Sequence, residues 1–298
     1  MRRLPLYFAV FAYLATPSAW AAPQTFNTAL PVAEGEFIFR EQLFAREATD
    51  DPSAANRELQ VLGAISVLGY GVHRDLSVFG VLPALNKELD VTTSAGTRIT
   101  RETSGIGDAR LFARYTVYQR DTPGRTFRLA PFLGIKGPTG DDDERDSLGT
   151  LPAPLQLGSG SWDPFGGLVL TYQTLQYQVD AQASYKANTE ANKFTFGDEA
   201  RLDASLQYRL WPRQLDAGVP GFLYGVLESN LLYREKNRGP TGKDSNSGGA
   251  SIFLSPGLQY VTKRWIVESI VQLPLVQNLN GRALEDDFTF RAGFRVNF

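Results

Sequence analysis

Arg291 and Arg295 stand four residues apart near the end of the chain, in "DDFTFRAGFRVNF", and Arg110 and Arg114 repeat the spacing. Arg201 and Asp203 stand two apart, with Arg209 further along the same segment; Asp180 and Glu268 sit in segments of the same kind. In an extended chain, residues separated by an even number point to one side, so each set can lay guanidinium or carboxylate groups along a single face. Two functions follow from such a face: a salt-bridged, hydrated filling that closes the space it borders, or opposed charged ladders that line an aqueous path and set its selectivity. The residues leave both open. Adjacent segments would bring Asp180 near Arg201 or Arg209, with Asp203 and Glu268 as the other counter-charges. Other chemistries are poorly served. His73 is the sole histidine and cysteine is absent, which removes imidazole clusters and thiolate zinc sites. No serine in a nucleophile motif is placed to use His73, which reads as a turn residue, so no enzyme is expected. The acidic run Asp141, Asp142, Asp143, Glu144 and Asp146 lacks the alternating ligands and fixed glycine of a calcium loop and reads as a solvated outer loop. Gly242-Lys243-Asp244 lacks the hydroxyl residue of a phosphate loop. No cofactor or metal is expected.

What must position these charges is a set of strands. Phe288, Phe290, Ala292, Phe294, Val296 and Phe298 alternate with Thr289, Arg291, Gly293, Arg295 and Asn297, and the same period-two pattern recurs from Tyr177 to Tyr185 and from Ala200 to Leu210. Segments of this length suit a tilted strand crossing a bilayer, which needs roughly 9–11 residues. Twelve candidates can be placed, at roughly 34–47, 57–70, 76–86, 106–119, 125–136, 162–174, 177–187, 198–211, 221–234, 250–261, 265–277 and 286–298. The connections after even-numbered strands are mostly short, and those after odd-numbered strands are long and polar, as in "GPTGDDDERDSLGTLPAPLQLGSGS" and "EKNRGPTGKDSNSGG". An even strand number with short turns on one side is the pattern of an antiparallel transmembrane β-barrel, its turns facing the periplasm. "KELDVTTSAGTRITRETS" is expected as one of the long outer loops. Glycine and proline inside the apolar segments argue against helices, and Pro83, Pro131, Pro256 and Pro274 are expected at bulges or breaks in the ladder.

The first residues read "MRRLPLYFAVFAYLATPSAWAAPQ": two arginines, a short apolar run, then small residues flanking Trp20. This order predicts a signal peptide over 1–21, cleaved after Ala21, a short periplasmic segment over 22–33, and a barrel over 34–298. The formal charge of −2 gives no basic surface for nucleic acid. Export with strands of this kind points to the outer membrane of a Gram-negative bacterium, in contact with lipid and lipopolysaccharide. The apolar face of the last strand would meet lipid. Phe294, Val296 and Phe298 would also serve as the C-terminal signal read by the barrel-assembly machinery.

Three stretches carry a resemblance: "LGYGVHRDLSVFGVLPAL", "SGIGDARLFARYTVYQRD" and "LAPFLGIKGPTGDDD", the last followed by "GSGSWDPFGGLVLTYQ". Their order resembles the outer-membrane barrels grouped under the MetA pathway of phenol degradation, with Gly105, Gly107, Asp108, Gly134, Lys136, Pro138, Thr139, Gly140 and Asp141 matching the pattern. The likeness spans most of the chain after residue 21. It implies an outer-membrane protein associated with uptake of aromatic or other hydrophobic compounds, and it offers no catalytic residues. The function expected is passive passage of small hydrophobic or aromatic solutes, with the lumen arginines orienting the polar ends of the cargo. The alternative is a non-conducting barrel that acts through its outer loops as receptor, adhesin or structural element. Oligomeric state is not set by the sequence.

Overall fold

The computed structural model describes residues 21–214 and 219–298; the expected signal peptide lies almost wholly outside them. Antiparallel strands close on themselves into a twelve-stranded barrel. In chain order these are β1 Phe37–Ala48, β2 Glu58–His73 and β3 Leu76–Thr92. β4 follows in three pieces, Arg98–Ile106, Arg110–Tyr115 and Tyr118–Thr122. Then come β5 Arg125–Lys136, β6 Asp163–Thr174, β7 Tyr177–Lys186 and β8 Glu199–Trp211. β9 Phe222–Arg234, β10 Gly249–Val261, β11 Trp265–Leu279 and β12 Phe288–Asn297 complete the ring. Closure is made by β12 against β1, in register from Ile38 opposite Asn297 to Glu47 opposite Phe288. At the end of this seam the first residue of β1 meets Phe298: Phe37 N donates to Phe298 O at 2.7 Å, Phe298 N to Phe37 O at 3.0 Å, and the two rings stack 5.8 Å apart.

Alternation sorts the side chains as a bilayer requires. Leu43, Leu62, Leu111, Leu133, Leu202 and Leu275 are large, apolar and exposed on the outer face. Exposed aromatics gather at the ends: Tyr70, Tyr115, Tyr177, Trp211 and Trp265 at the short-turn end, and Trp162, Tyr185 and Tyr233 at the long-loop end. A leucine band between two aromatic belts is how a barrel matches hydrocarbon flanked by headgroups. The inner face is polar: Gln42, Asp180, Gln207, Glu228, Asn230, Gln259 and Glu268 are all buried.

All four prolines sit where the ladder is interrupted. Pro83 faces the first break in β4, where its carbonyl accepts from Gly107 N at 2.8 Å. Pro131 faces the second, between the pairs Arg114–Phe132 and Tyr118–Leu129. Pro256 falls in a gap of the β10–β11 pairing, and Pro274 adjoins a register shift in the same pair. Each break in β4 inserts one residue, so the side chains swap faces there. For this reason the expected strand over 106–119 is corrected: only Arg110–Tyr115 runs unbroken within it. The expected loop "KELDVTTSAGTRITRETS" is corrected too, because β3 continues to Thr92 and the first piece of β4 starts at Arg98, paired from Thr92 opposite Arg98 to Ala84 opposite Ile106.

Residues 22–33 are the larger correction. Instead of lying apart from the barrel on the periplasmic side, they run inside it as a strap. No plug is evident from the sequence, yet this segment fills part of the lumen. Charge explains why it can: residues 22–33 contain no ionisable side chain, so the interior has only backbone and neutral polar groups to satisfy.

Candidate functional site

The strap is held chiefly by its backbone, and lumen side chains supply the partners. Val32 N donates to Ser77 Oγ at 3.0 Å and Ala29 N to Thr171 Oγ1 at 2.8 Å. Further in, Asn27 N and Nδ2 donate to Gln182 Oε1 at 3.3 and 3.1 Å. Glu228 is fully buried and accepts from Gln24 N at 2.7 Å, from Thr25 N at 3.1 Å and from the Thr25 hydroxyl. Gln259 then clasps Ala22 from both sides, its Oε1 accepting from Ala22 N and its Nε2 donating to Ala22 O, each at 3.1 Å. Because Ser77 and Gln259 lie near the short-turn ends of their strands while Glu228 sits mid-strand, the strap rises to the middle of the barrel and returns. Close packing at its exit excludes any side chain at Gly71, where a Cβ would stand 2.0 Å from Ala33 O. Several donors converge on the one buried Glu228 side chain, so polar groups of strap and wall are satisfied together, as burial requires.

Around the strap the expected lumen residues take definite places. Glu268 and Arg40 form an ion pair at 2.5 Å, and Arg40 Nη2 also donates to Gln24 O at 3.0 Å. Arg295 and Arg291 flank Gly293, which faces Glu268 on β11 and Gln42 on β1. Arg291 donates to Gln42 Oε1 at 3.3 Å and covers the Phe44 ring at 5.5 Å. Arg201 pairs with Asp203 on its own strand at 3.1 Å, and Asp203 accepts from Asn230 at 2.8 Å. Arg209 is buried, with its guanidinium 5.7 Å from the Phe222 ring. Arg110 stands opposite Lys136 across the β4–β5 pair. Arg114 is buried, donates to Leu30 O at 2.6 Å and lies 4.8 Å over the Phe79 ring. The expected pairing of Asp180 with Arg201 or Arg209 is corrected: Asp180 faces Ser205, well along the strand from both, and accepts from Thr171 and from Gln178 at 2.7 Å. His73 stays at the β2–β3 turn, Nδ1 3.8 Å from Asp75.

At the long-loop end, the motif residues converge. Lys136 Nζ sits 2.7 Å from both Asp108 Oδ2 and Asp163 Oδ2 and donates to Ser159, all but out of solvent. Asp108 also accepts from Ser159 N at 2.9 Å and Gly140 N at 3.1 Å, while Thr139 Oγ1 accepts from Ala109 N at 2.7 Å. The first break in β4 exists to admit this clasp, which folds residues 137–162 back onto the barrel mouth; a Cβ at Gly158 would stand 2.2 Å from Gly140 O. Lys87 adds bonds to Pro154 O and Gln156 O, at 3.1 and 2.5 Å. Within the acidic run, Asp146 forms a bidentate pair with Arg101 at 2.7 and 2.8 Å, and Asp142 accepts from Asn192 at 2.9 Å. Among the described residues no cluster could hold a metal ion.

Between strap and wall lies a cavity of about 410 Å³, bordered by Phe79, Phe112, Ile38 and Val67 on the wall, by Leu30 on the strap, and by Arg114. No pattern along the chain announces it, since it forms only where the strap bends past β1 to β4.

Comparison with known proteins agrees with this architecture. The family model "Putative MetA-pathway of phenol degradation" matches residues 52–272. The chain belongs to that family. Its fold is similar to that of an outer membrane channel from Pseudomonas putida F1, with a TM-score of 0.68 at 13% identity, covering 94% of this chain and 100% of that one. The β domain of the Bordetella autotransporter BrkA has a TM-score of 0.47 at 13% identity, covering 89% of this chain and all of that one. The translocator domain of the Neisseria meningitidis autotransporter NalP has a TM-score of 0.43 at 8% identity, with 89% of each chain covered. A search by sequence among curated proteins finds no match. The clasp is built from residues inside the matched region, while the strap lies ahead of it.

Proposed function

We propose that this member of the phenol-degradation MetA family is an outer-membrane channel for passive passage of small hydrophobic or aromatic solutes. The observation that carries the reading is the cavity inside the lumen, walled by phenylalanines and aliphatic side chains of the barrel and bounded on its other side by the strap. Closure of the ring leaves no unpaired edge along the β1–β12 seam, so a solute would cross through the interior. Its apolar part would follow the phenylalanine wall and its polar end the lumen arginines. Family membership and the likeness to an outer membrane channel support the same reading. The barrel would reside in the bacterial outer membrane, touch lipopolysaccharide through its long loops, and be inserted by the assembly machinery through Phe294, Val296 and Phe298.

Single-channel conductance of the refolded chain from residue 22 onward tests this, beside a variant that begins at Glu34. Small, steady conductance that aromatic solutes modulate, rising when the strap is absent, is the expected result. A second reading has an observation in its favour: the strap fills part of the lumen and the folded loop covers its mouth, as a non-conducting barrel acting through its loops would require. A strapless barrel that is folded but carries no current would decide for it.

A further inference from the structure

The strap-side cavity has a definite chemical character. Its aromatic wall is a stacked pair, Phe79 and Phe112, with ring centroids 4.8 Å apart and planes at 15°. Beside the pair lies Arg114, only 5% exposed, held by one neutral carbonyl, Leu30 O, and by the Phe79 face. Among the described residues no carboxylate lies within 4.0 Å of its guanidinium; Asp180 attracts it from further away, and Arg295, which also borders the cavity, repels it. A buried cation without an anion at contact is costly, and a carbonyl offsets little of that cost. Arg40, at the cavity's other side, is already neutralised by Glu268. The cavity therefore offers an apolar slot with the buried Arg114 guanidinium on its border, and its volume falls in the roughly 300–1,000 Å³ range of small-molecule sites.

We infer that this cavity is a binding site for a small aromatic monoanion, with the ring against Phe79 and Phe112 and the anionic group on Arg114. The inference rests on the channel reading and narrows its cargo. An arylcarboxylate meets both demands: its two oxygens accept from the planar guanidinium in parallel, the geometry arginine favours, and its ring replaces water against the phenylalanines. A neutral phenol would leave Arg114 uncompensated. Acetate would leave the slot wet. A polyanion would find a single contact cation, with Glu36 also bordering the space.

The test is calorimetric titration of the refolded, detergent-solubilised barrel with benzoate, phenol and acetate, run beside conductance on the same preparation. Saturable one-to-one binding of benzoate is expected, with phenol and acetate at least tenfold weaker. Arg114→Gln should weaken benzoate at least tenfold and leave phenol unchanged. Should Arg114→Gln fail to fold, Ile38→Trp serves instead, since it fills the slot from the wall without touching a charge and should abolish benzoate binding. Equal binding of benzoate and phenol, no saturable binding, or benzoate binding that survives either folded variant would overturn the inference. The two measurements separate the failures: current without benzoate binding removes the site and keeps the channel, while binding without current keeps the site and removes the channel.

Discussion

Glu228 shows how much a single residue can carry in this lumen. It is fully buried, and its bonds go to the strap backbone at Gln24 and Thr25 and to the Thr25 hydroxyl. A buried donor left without its acceptor costs about 1–3 kcal/mol, so Glu228→Ala should free the middle of the strap without breaking the wall. The expected outcome is a several-fold rise in conductance and new protease sensitivity within residues 22–33; an unchanged current would mean the strap is not what limits flow. At the mouth, Asp51 offers a pH test. Burial alone would raise its carboxyl, but Arg57, through side chain and backbone N–H at 2.6–2.9 Å, together with Ser53, holds it well below the usual carboxylate range. A lowered value stabilises the folded loop in full above the ordinary carboxylate value and loses that contribution as pH falls through the lowered one. Amide shifts of residues 49–57 should thus stay constant from about pH 8 to about pH 4 and collapse only in stronger acid. Asp51→Asn should show the collapsed spectrum at neutral pH.

Among the elements, the clasp at Lys136 is the most tightly determined. Removing the lysine leaves Asp108 and Asp163 facing each other, buried and without their common cation, and breaking a buried pair this way costs about 3–5 kcal/mol. Lys136→Met should release residues 137–162 to external protease and lower the melting temperature, while β5 and β6 keep their pairing; a loop that stays protected would show that Lys87 and the backbone contacts suffice. The strands themselves were readable because burial in a barrel acts residue by residue: the alternation of Tyr177–Lys186 or Phe288–Asn297 is the wall's cross-section written along the chain. The prolines were readable for the same local reason. What escaped the sequence is what joins distant positions. Asp108 and Lys136 are 28 residues apart and Ala22 and Gln259 are 237 apart; no periodicity encodes such pairs. Two signals were present all the same: an uncharged run over 22–33, and a lumen face rich in Gln, Asn and Thr, whose amides and hydroxyls suit a backbone better than they suit ions.

On the scale of the whole molecule, the seam is where the first and last strands meet, and it gives a prediction about assembly. Phe298 is exposed, bonded through its backbone to Phe37 and stacked on the Phe37 ring. Deleting Phe298 removes only the last rung of the β1–β12 ladder, so refolding in detergent should be nearly unaffected, while the amount reaching the outer membrane of cells should fall several-fold if the terminal aromatic is read as an address. Equal loss in both settings would assign Phe298 to stability alone. The strap has a consequence of another kind. The wall grips it mainly through peptide N–H and C=O groups, which every residue except proline supplies alike, so the wall recognises that a chain is there and is nearly blind to which chain it is. Selection should then act on Ser77, Thr171, Gln182, Glu228 and Gln259 and leave residues 22–33 free to drift, provided they stay uncharged. Across related barrels the lock would be inherited and the key rewritten; in this chain the family match begins at residue 52, downstream of the strap.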